Sequence, residues 1–155
     1  MMKLFKLFIL ITSIFLSTGC EKKDPKALNE VHWDRDMCQR CKMVVSERHH
    51  AVQVINLANG RSYMFDDIGC VSLWFDDEKI DWSSKAKIWI TDVDTGKWID
   101  ARKAFYDSNN VTPMAYGFAA HKSRESIKKG EEVIGFEEIG KRVFKIEEKN
   151  NARRY

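Results

Sequence analysis

The stretch Ala51-Val-Gln-Val-Ile-Asn-Leu-Ala-Asn-Gly60-Arg-Ser-Tyr-Met-Phe65-Asp-Asp-Ile-Gly-Cys70 decides the fold. Residues 51–57 are apolar and partly β-branched, which reads as a strand. Asn59-Gly60 is a strong hairpin signal, because both residues tolerate the positive φ that tight turns require. Residues 61–65 return as a second strand. Asp66 or Asp67 then caps a helix whose apolar positions Ile68, Val71, Trp74 and Phe75 recur at helical spacing.

The same pattern returns 36 positions later. Residues 88–93 read as a strand, Thr95-Gly96 as a turn, and residues 97–101 as the return strand. Gly60 aligns with Gly96, Arg61 with Lys97, Val52 with Ile88 and Val54 with Ile90. Residues 101–106 read as a short helix or turn. Two ββα-type units predict an α+β fold, a single compact domain with an internal pseudo-duplication. Beyond it, residues 116–121 read as extended, and Ser123 caps a short helix that ends before Gly130. Val133-Ile134 is extended again, and residues 136–139 add one turn of helix.

Working toward the N-terminus, the chain opens Met-Met-Lys-Leu-Phe-Lys, runs apolar from Leu7 to Phe15, and reaches Leu16-Ser-Thr-Gly-Cys20. A charged start, a short apolar run and a small-residue cleavage site make residues 1–19 a secretory signal. Cleavage before Cys20 leaves an N-terminal Cys to carry acyl chains at a membrane surface. Residues 20–32 are polar and read as a tether, residues 33–146 as the folded domain, and residues 147–155 as a charged, frayed tail. Loss of residues 1–19 removes Lys3 and Lys6, so the formal charge falls from +3 to +1. No basic patch of nucleic-acid strength remains, and no nucleic-acid partner is expected. The chain is 44% hydrophobic and 32% charged, which excludes a fully disordered protein.

There are four cysteines, Cys20, Cys38, Cys41 and Cys70. With Cys20 lipidated, three remain, an odd number that leaves at least one thiol outside any disulfide. Cys38-Gln-Arg-Cys41 lacks the following His that haem attachment needs. It also lacks the βαβ context of a thioredoxin-like site, and no second ligand pair suggests tetrahedral zinc. A short-range structural disulfide and a redox pair stay open. So does ligation of a soft metal. Met37 and Met43 flank the pair, and thiolates with thioethers together select Cu(I). His49 and His50 lie close by and are either imidazole ligands or plain loop residues.

The remaining chemistry-bearing residues read conservatively. Thr112-Pro113 breaks any helix and presents Met114 from a loop, where a core role outweighs ligation on the residues alone. Of the adjacent acids Asp66 and Asp67, helix capping explains one and solvent exposure the other. Cys70 falls in the first turns of a helix, either as a small core residue or as a third thiol near a metal, with the helix dipole lowering its pKa. No nucleophile, base and oxyanion constellation is visible, so no enzymatic activity is expected.

Several of these segments together resemble the NosL family of bacterial copper-binding lipoproteins, accessory to nitrous oxide reductase. The segments are the start ending at Cys20, Met37-Cys38-x-x-Cys41-x-Met43, and Phe65-Asp-Asp-Ile-Gly-Cys70. Trp98-Ile-Asp-Ala101, Thr112-Pro-Met-Ala-Tyr-Gly117 with Ala119, and Ser123 complete the set. The resemblance implies a membrane-anchored, extracytoplasmic Cu(I) metallochaperone. Its partner would be a copper-receiving enzyme, nitrous oxide reductase or its assembly factors, and its lipid would sit in the cell membrane or an outer membrane. It implies copper ligands Cys38, Cys41, Met43 and Met114, and so lifts Met114 from core residue to ligand. Lys42 stands where the family usually has Gly. The competing expectation is an extracytoplasmic thiol–disulfide oxidoreductase acting through Cys38 and Cys41.

Overall fold

The computed structural model describes residues 24–153. Cys20 and the expected signal segment lie outside the described residues. A four-stranded antiparallel sheet forms the centre, from β1 (Val52–Ile55), β2 (Ser62–Phe65), β3 (Lys87–Thr91) and β4 (Trp98–Asp100), in the order β2-β1-β3-β4. Helix α1 (Ile68–Asp77) follows β2, and helix α2 (Phe136–Ala152) packs against it. A separate hairpin, β5 (Phe105–Asp107) with β6 (Ala119–His121), lies between β4 and α2 in sequence. The fold is therefore α+β.

The duplication is visible in the hydrogen bonds. At the first turn Asn56 N–H donates to Arg61 O at 2.9 Å and Gly60 N–H to Asn56 O at 2.8 Å. At the second, Asp92 N–H donates to Lys97 O at 2.8 Å and Gly96 N–H to Asp92 O at 2.7 Å. Each residue of the second set stands 36 positions after its counterpart. Gly60 and Gly96 have φ of +71° and +67°, the conformation for which glycine suits both turns. Across the centre of the sheet Val52 pairs with Ile90 and Val54 with Ile88. With Val52 equivalent to Ile88 and Val54 to Ile90, that pairing is what a local two-fold axis between β1 and β3 produces.

The two faces of the sheet are covered differently. Strand residues alternate sides, so Val52, Val54, Tyr63, Phe65, Ile88 and Ile90 share one face. There Trp74 of α1 meets Phe65 at 5.3 Å and Tyr63 at 5.0 Å between ring centroids. On the other face Gln53 lies between Met64 and Trp89. The chain before the Cys pair covers that side. Trp89 Nε1 donates to Lys26 O at 3.0 Å, Asn29 N–H donates to Gln53 Oε1 at 2.8 Å, and Trp33 stacks on Trp98. The segment read as a tether is thus held on the sheet from Lys26 onward, because a buried Gln53 needs polar partners and finds them in this chain.

Further along the chain one open alternative is resolved and two expectations change. Of the two alternatives for residues 101–106 the turn is the one formed, and the chain then enters β5 at Phe105. Tyr106 is fully buried, its hydroxyl donates to Ala101 O at 2.7 Å, and its backbone pairs with Ile134. These tertiary bonds override the helix-forming residues of that stretch. The second unit's helix is instead α2, which runs through Ala152 and absorbs most of the expected tail. Phe136, Ile139, Val143 and Ile146 give it one apolar stripe. The expected helix after Ser123 is a single 3₁₀ turn, Arg124–Ser126, with the Ser123 side chain accepting from Glu125 N–H.

Candidate metal centre

Cys38 and Cys41 sit on a tight loop before β1. Met37 and Val44 pair as an antiparallel bridge, Cys38 N–H donates to Met43 O at 2.8 Å, and Lys42 N–H donates to Cys38 O at 3.1 Å. Gln39 N–H reaches Met64 O on β2 at 2.8 Å. Closing so short a loop needs one residue in the left-handed region, and that residue is Lys42, with φ +62°. Its ammonium caps the turn on Gln39 O. A residue with a Cβ spends roughly 1–2 kcal/mol in that conformation. Glycine's greater freedom in the unfolded chain offsets about 0.4–1 kcal/mol of the gain from removing the Cβ. Lys42→Gly is therefore expected to raise stability by about 0.5–1 kcal/mol, seen as an upward Tm shift in thermal unfolding. A lower Tm would show that the Lys42–Gln39 bond outweighs the backbone strain.

The other half of the site comes from the β2–α1 junction. Asp67 is the N-cap of α1, with extended backbone, and its Oδ1 accepts from Gly69 N–H at 2.8 Å. Its Oδ2 accepts from Thr112 Oγ1 at 2.6 Å and from Met114 N–H at 3.3 Å. One buried carboxylate thus ties the Thr-Pro-Met loop to the start of the helix. Asp66, the residue before it, is 2% exposed. The expectation of a solvent-exposed acid there is corrected, since Cys41 Sγ donates to its carboxylate at 3.5 Å and the loop covers it.

One ligand atom from each of Cys38, Cys41, Cys70 and Asp66 lies within 4.8 Å of the others. All three thiols are free. Cys38 and Cys70 are buried, and Cys41 is half-buried at the outer side. The site therefore has a closed floor of two sulfurs and a more accessible third. Cys70 arrives from the first turn of α1, so it is both a core residue and a member of the cluster.

The electrostatics divide the thiols. The hydrogen bond from Cys70 draws the Cys38 thiol down to about 4, against the opposing effect of burial. Cys70, as donor to Cys38 and buried besides, is pushed far up. The expected lowering by the helix dipole is overturned, because the nearby Cys38 thiolate outweighs it. Burial pushes Cys41 up to about 12. Burial, then the Cys38 charge, raises Asp66 to about 6. These effects thus single out Cys38 as the thiol whose surroundings favour the thiolate, with Cys70 hydrogen-bonded to it.

Arg40, between the two loop cysteines, ties the loop to both helices. Its Nε donates to Asp77 at 2.9 Å at the end of α1, and its guanidinium lies 3.7 Å from Glu147 on α2. It also reaches Tyr116 Oη at 3.4 Å, while Tyr116 Oη donates to Glu147 at 3.1 Å. The cysteine loop, the two helices and the 112–117 loop thus share one polar network.

Of the four expected ligands, Cys38 and Cys41 come together in the cluster. Met43 holds the loop through its carbonyl, and the residue is 42% exposed. Met114 packs against the core beside the Asp67 bond that anchors its loop. Cys70 and Asp66 are the members that sequence reasoning did not assign. Cys70 carried a usable signal, a cysteine in the first turn after a cap, whereas an acid next to a cap carries none. His49 is engaged elsewhere, its Nδ1 2.7 Å from Val93 O, and neither His49 nor His50 joins the thiol cluster.

No family model matches the chain. No curated protein matches it either. Among solved structures the chain is similar to the crystal structure of the copper chaperone NosL from Shewanella denitrificans, with a TM-score of 0.57 and 14% identity. The match covers 74% of this chain and 96% of that one. At this identity the likeness establishes a shared fold.

Proposed function

We propose that this protein is a Cu(I) metallochaperone, anchored outside the cytoplasm by a lipid on Cys20, that delivers copper to a copper enzyme. The observation that carries the reading is the cluster of three free thiols, Cys38, Cys41 and Cys70. Sulfur-rich, low-coordinate sites select Cu(I) over harder ions. Met37 and Met43, both exposed and flanking the cysteine pair in sequence, offer thioethers on the same loop. The fold shared with a copper chaperone and the ordered motif resemblance support the same direction.

The arrangement suits a carrier. A buried pair of sulfurs retains the ion, while the half-buried Cys41 is the ligand that an incoming partner's ligand displaces first. Transfer then passes through an ion shared by both proteins, and each thiol that takes the ion gives up its proton and recovers one when the ion leaves. Nitrous oxide reductase or its assembly factors are the proposed recipients, on the motif resemblance alone.

Anaerobic titration of the purified, reduced chain with Cu(I) against a competing chelator tests this. The expected result is tight one-to-one binding that Cys38→Ser with Cys41→Ser abolishes. Weakening by Met114→Ala would place the 112–117 loop at the ion. No Cu(I) binding, together with a reversible Cys38–Cys41 disulfide of measurable reduction potential, would replace this reading with thiol–disulfide exchange.

A further inference from the structure

A second cluster lies away from the thiols, where the β3–β4 turn meets the β5–β6 hairpin. One ligand atom from each of Asp92, Asp94 and His121 lies within 4.8 Å of the others. His121, on β6, has a side chain only 6% exposed. Its Nδ1 is 2.9 Å from Asp94 Oδ2, and its Nε2 is 3.3 Å from Asp107 Oδ2. Yet Nε2 is a buried nitrogen that makes no hydrogen bond. One imidazole is thus held between two carboxylates with a third, Asp92, alongside. Among the described residues His121 is the one basic side chain ion-paired to Asp94 or Asp107, and Asp92 has no such pair.

We propose that Asp92, Asp94 and His121 Nδ1 bind a divalent transition-metal ion, with Asp107 orienting the imidazole from behind. A metal-bound His presents its other ring N–H to a carboxylate, which fixes the tautomer and the ring plane. Asp107 is the carboxylate on that side of the ring, its Oδ2 3.3 Å from Nε2 without forming a hydrogen bond, and it is itself held by Asn110 Nδ2 at 2.6 Å. Asp92 is similarly fixed, accepting from Thr95 Oγ1 at 2.6 Å and from Lys122 N–H at 3.3 Å. In the tautomer with the proton on Nδ1 that nitrogen donates to Asp94 Oδ2; in the tautomer with the proton on Nε2 the Nδ1 lone pair and Asp94 Oδ2 face each other as two acceptors, the arrangement a cation between them would satisfy. Asp94, 44% exposed, opens the site to solvent and gives the ion a path in.

The ligand chemistry separates this site from the thiol cluster. One imidazole with carboxylates suits Mn²⁺, Fe²⁺ or Zn²⁺ and offers Cu(I) no sulfur. A bound ion would pin the turn of the duplicated sheet to the β5–β6 hairpin, which already meet through Val93 N–H and Ala120 O at 2.9 Å. The inference does not depend on the Cu(I) reading, because no residue is common to the two clusters.

Mn²⁺ is the probe, since it avoids thiolate sites and leaves the reduced full chain otherwise unaltered. Loss of the free Mn²⁺ electron paramagnetic resonance signal on titration is expected to show one bound ion per chain. Asp94→Asn, a half-exposed change that leaves the core intact, is expected to weaken binding at least about tenfold. Zn²⁺ should displace the Mn²⁺, and Cu(I) affinity should be unchanged in Asp94→Asn. His121→Gln, if it folds, should abolish Mn²⁺ binding. The proposal is overturned if the wild-type chain leaves all Mn²⁺ free, or if Asp94→Asn binds it as well as the wild type. Either outcome would make His121 a structural clamp between Asp94 and Asp107 with no ion.

Discussion

Cys70→Ser is expected to lower Cu(I) affinity by about a hundredfold or more, equivalent to roughly 3 kcal/mol of binding free energy. The effect should match that of Cys38→Ser, because the two sulfurs form the buried floor of the same cluster. A serine hydroxyl is a hard donor that remains protonated, so Cu(I) gains little from it. The substitution is otherwise mild. It puts a hydroxyl where a buried thiol was, at a stability cost of about 1–3 kcal/mol if the hydroxyl lacks a partner. The two effects are separable. Thermal unfolding of the metal-free variant reads the packing cost, and chelator competition at a temperature where both proteins are folded reads the ligand loss. An unchanged Kd with a lowered Tm would make Cys70 a core residue only, and would return the site to the two loop cysteines and the methionines.

That result bears on how the site is written in the chain. The sheet was legible because local signals agreed with it. Apolar residues alternate in β1 and β3, and a glycine falls at the position of positive φ in both turns. The duplication could be read because turns of the same length repeat the same backbone hydrogen bonds. The loop cysteines were legible from their spacing alone. Asp66 was not, and Cys70 stayed open between a core residue and a third thiol, since no local spacing relates either to Cys38. They become neighbours only when α1 folds back over the sheet and the cysteine loop docks on β2 through Gln39. The β5–β6 hairpin and the length of α2 were misread for a related reason. The apolar stripe of α2 was present in the sequence, but its last turns are charged and gain their place from partners far away. Glu147 is held there by Tyr116 and lies beside Arg40. Long-range polar bonds of this kind leave no period in the sequence.

Gly69→Ala shows how such a long-range contact can reverse a local rule. Gly69 lies in the first turn of α1, with no positive φ. Helix propensity by itself favours alanine there by about 1 kcal/mol. In the folded protein, however, a Cβ at this position would lie 2.2 Å from Tyr116 Cδ2 and 2.4 Å from Tyr116 Cγ. These are atoms of a rigid ring close to its own backbone, so the clash cannot be relieved by swinging the end of a flexible chain. Overpacking of this sort costs about 1–3 kcal/mol and sometimes more. The expected net result is destabilisation by about 1 kcal/mol or more. Copper binding should suffer as well. Moving Tyr116 disturbs its bonds to Arg40 and Glu147 and shifts the loop that carries Met114. If Met114 is a ligand, Gly69→Ala should weaken Cu(I) binding while leaving the three cysteines in place. A double-mutant cycle isolates the cause. In a Tyr116→Ala background the same Gly69→Ala change should lose its cost and become neutral or stabilising, because the obstructing ring is gone. Equal destabilisation in both backgrounds would show that the helix start, and not the Tyr116 ring, requires glycine at this position.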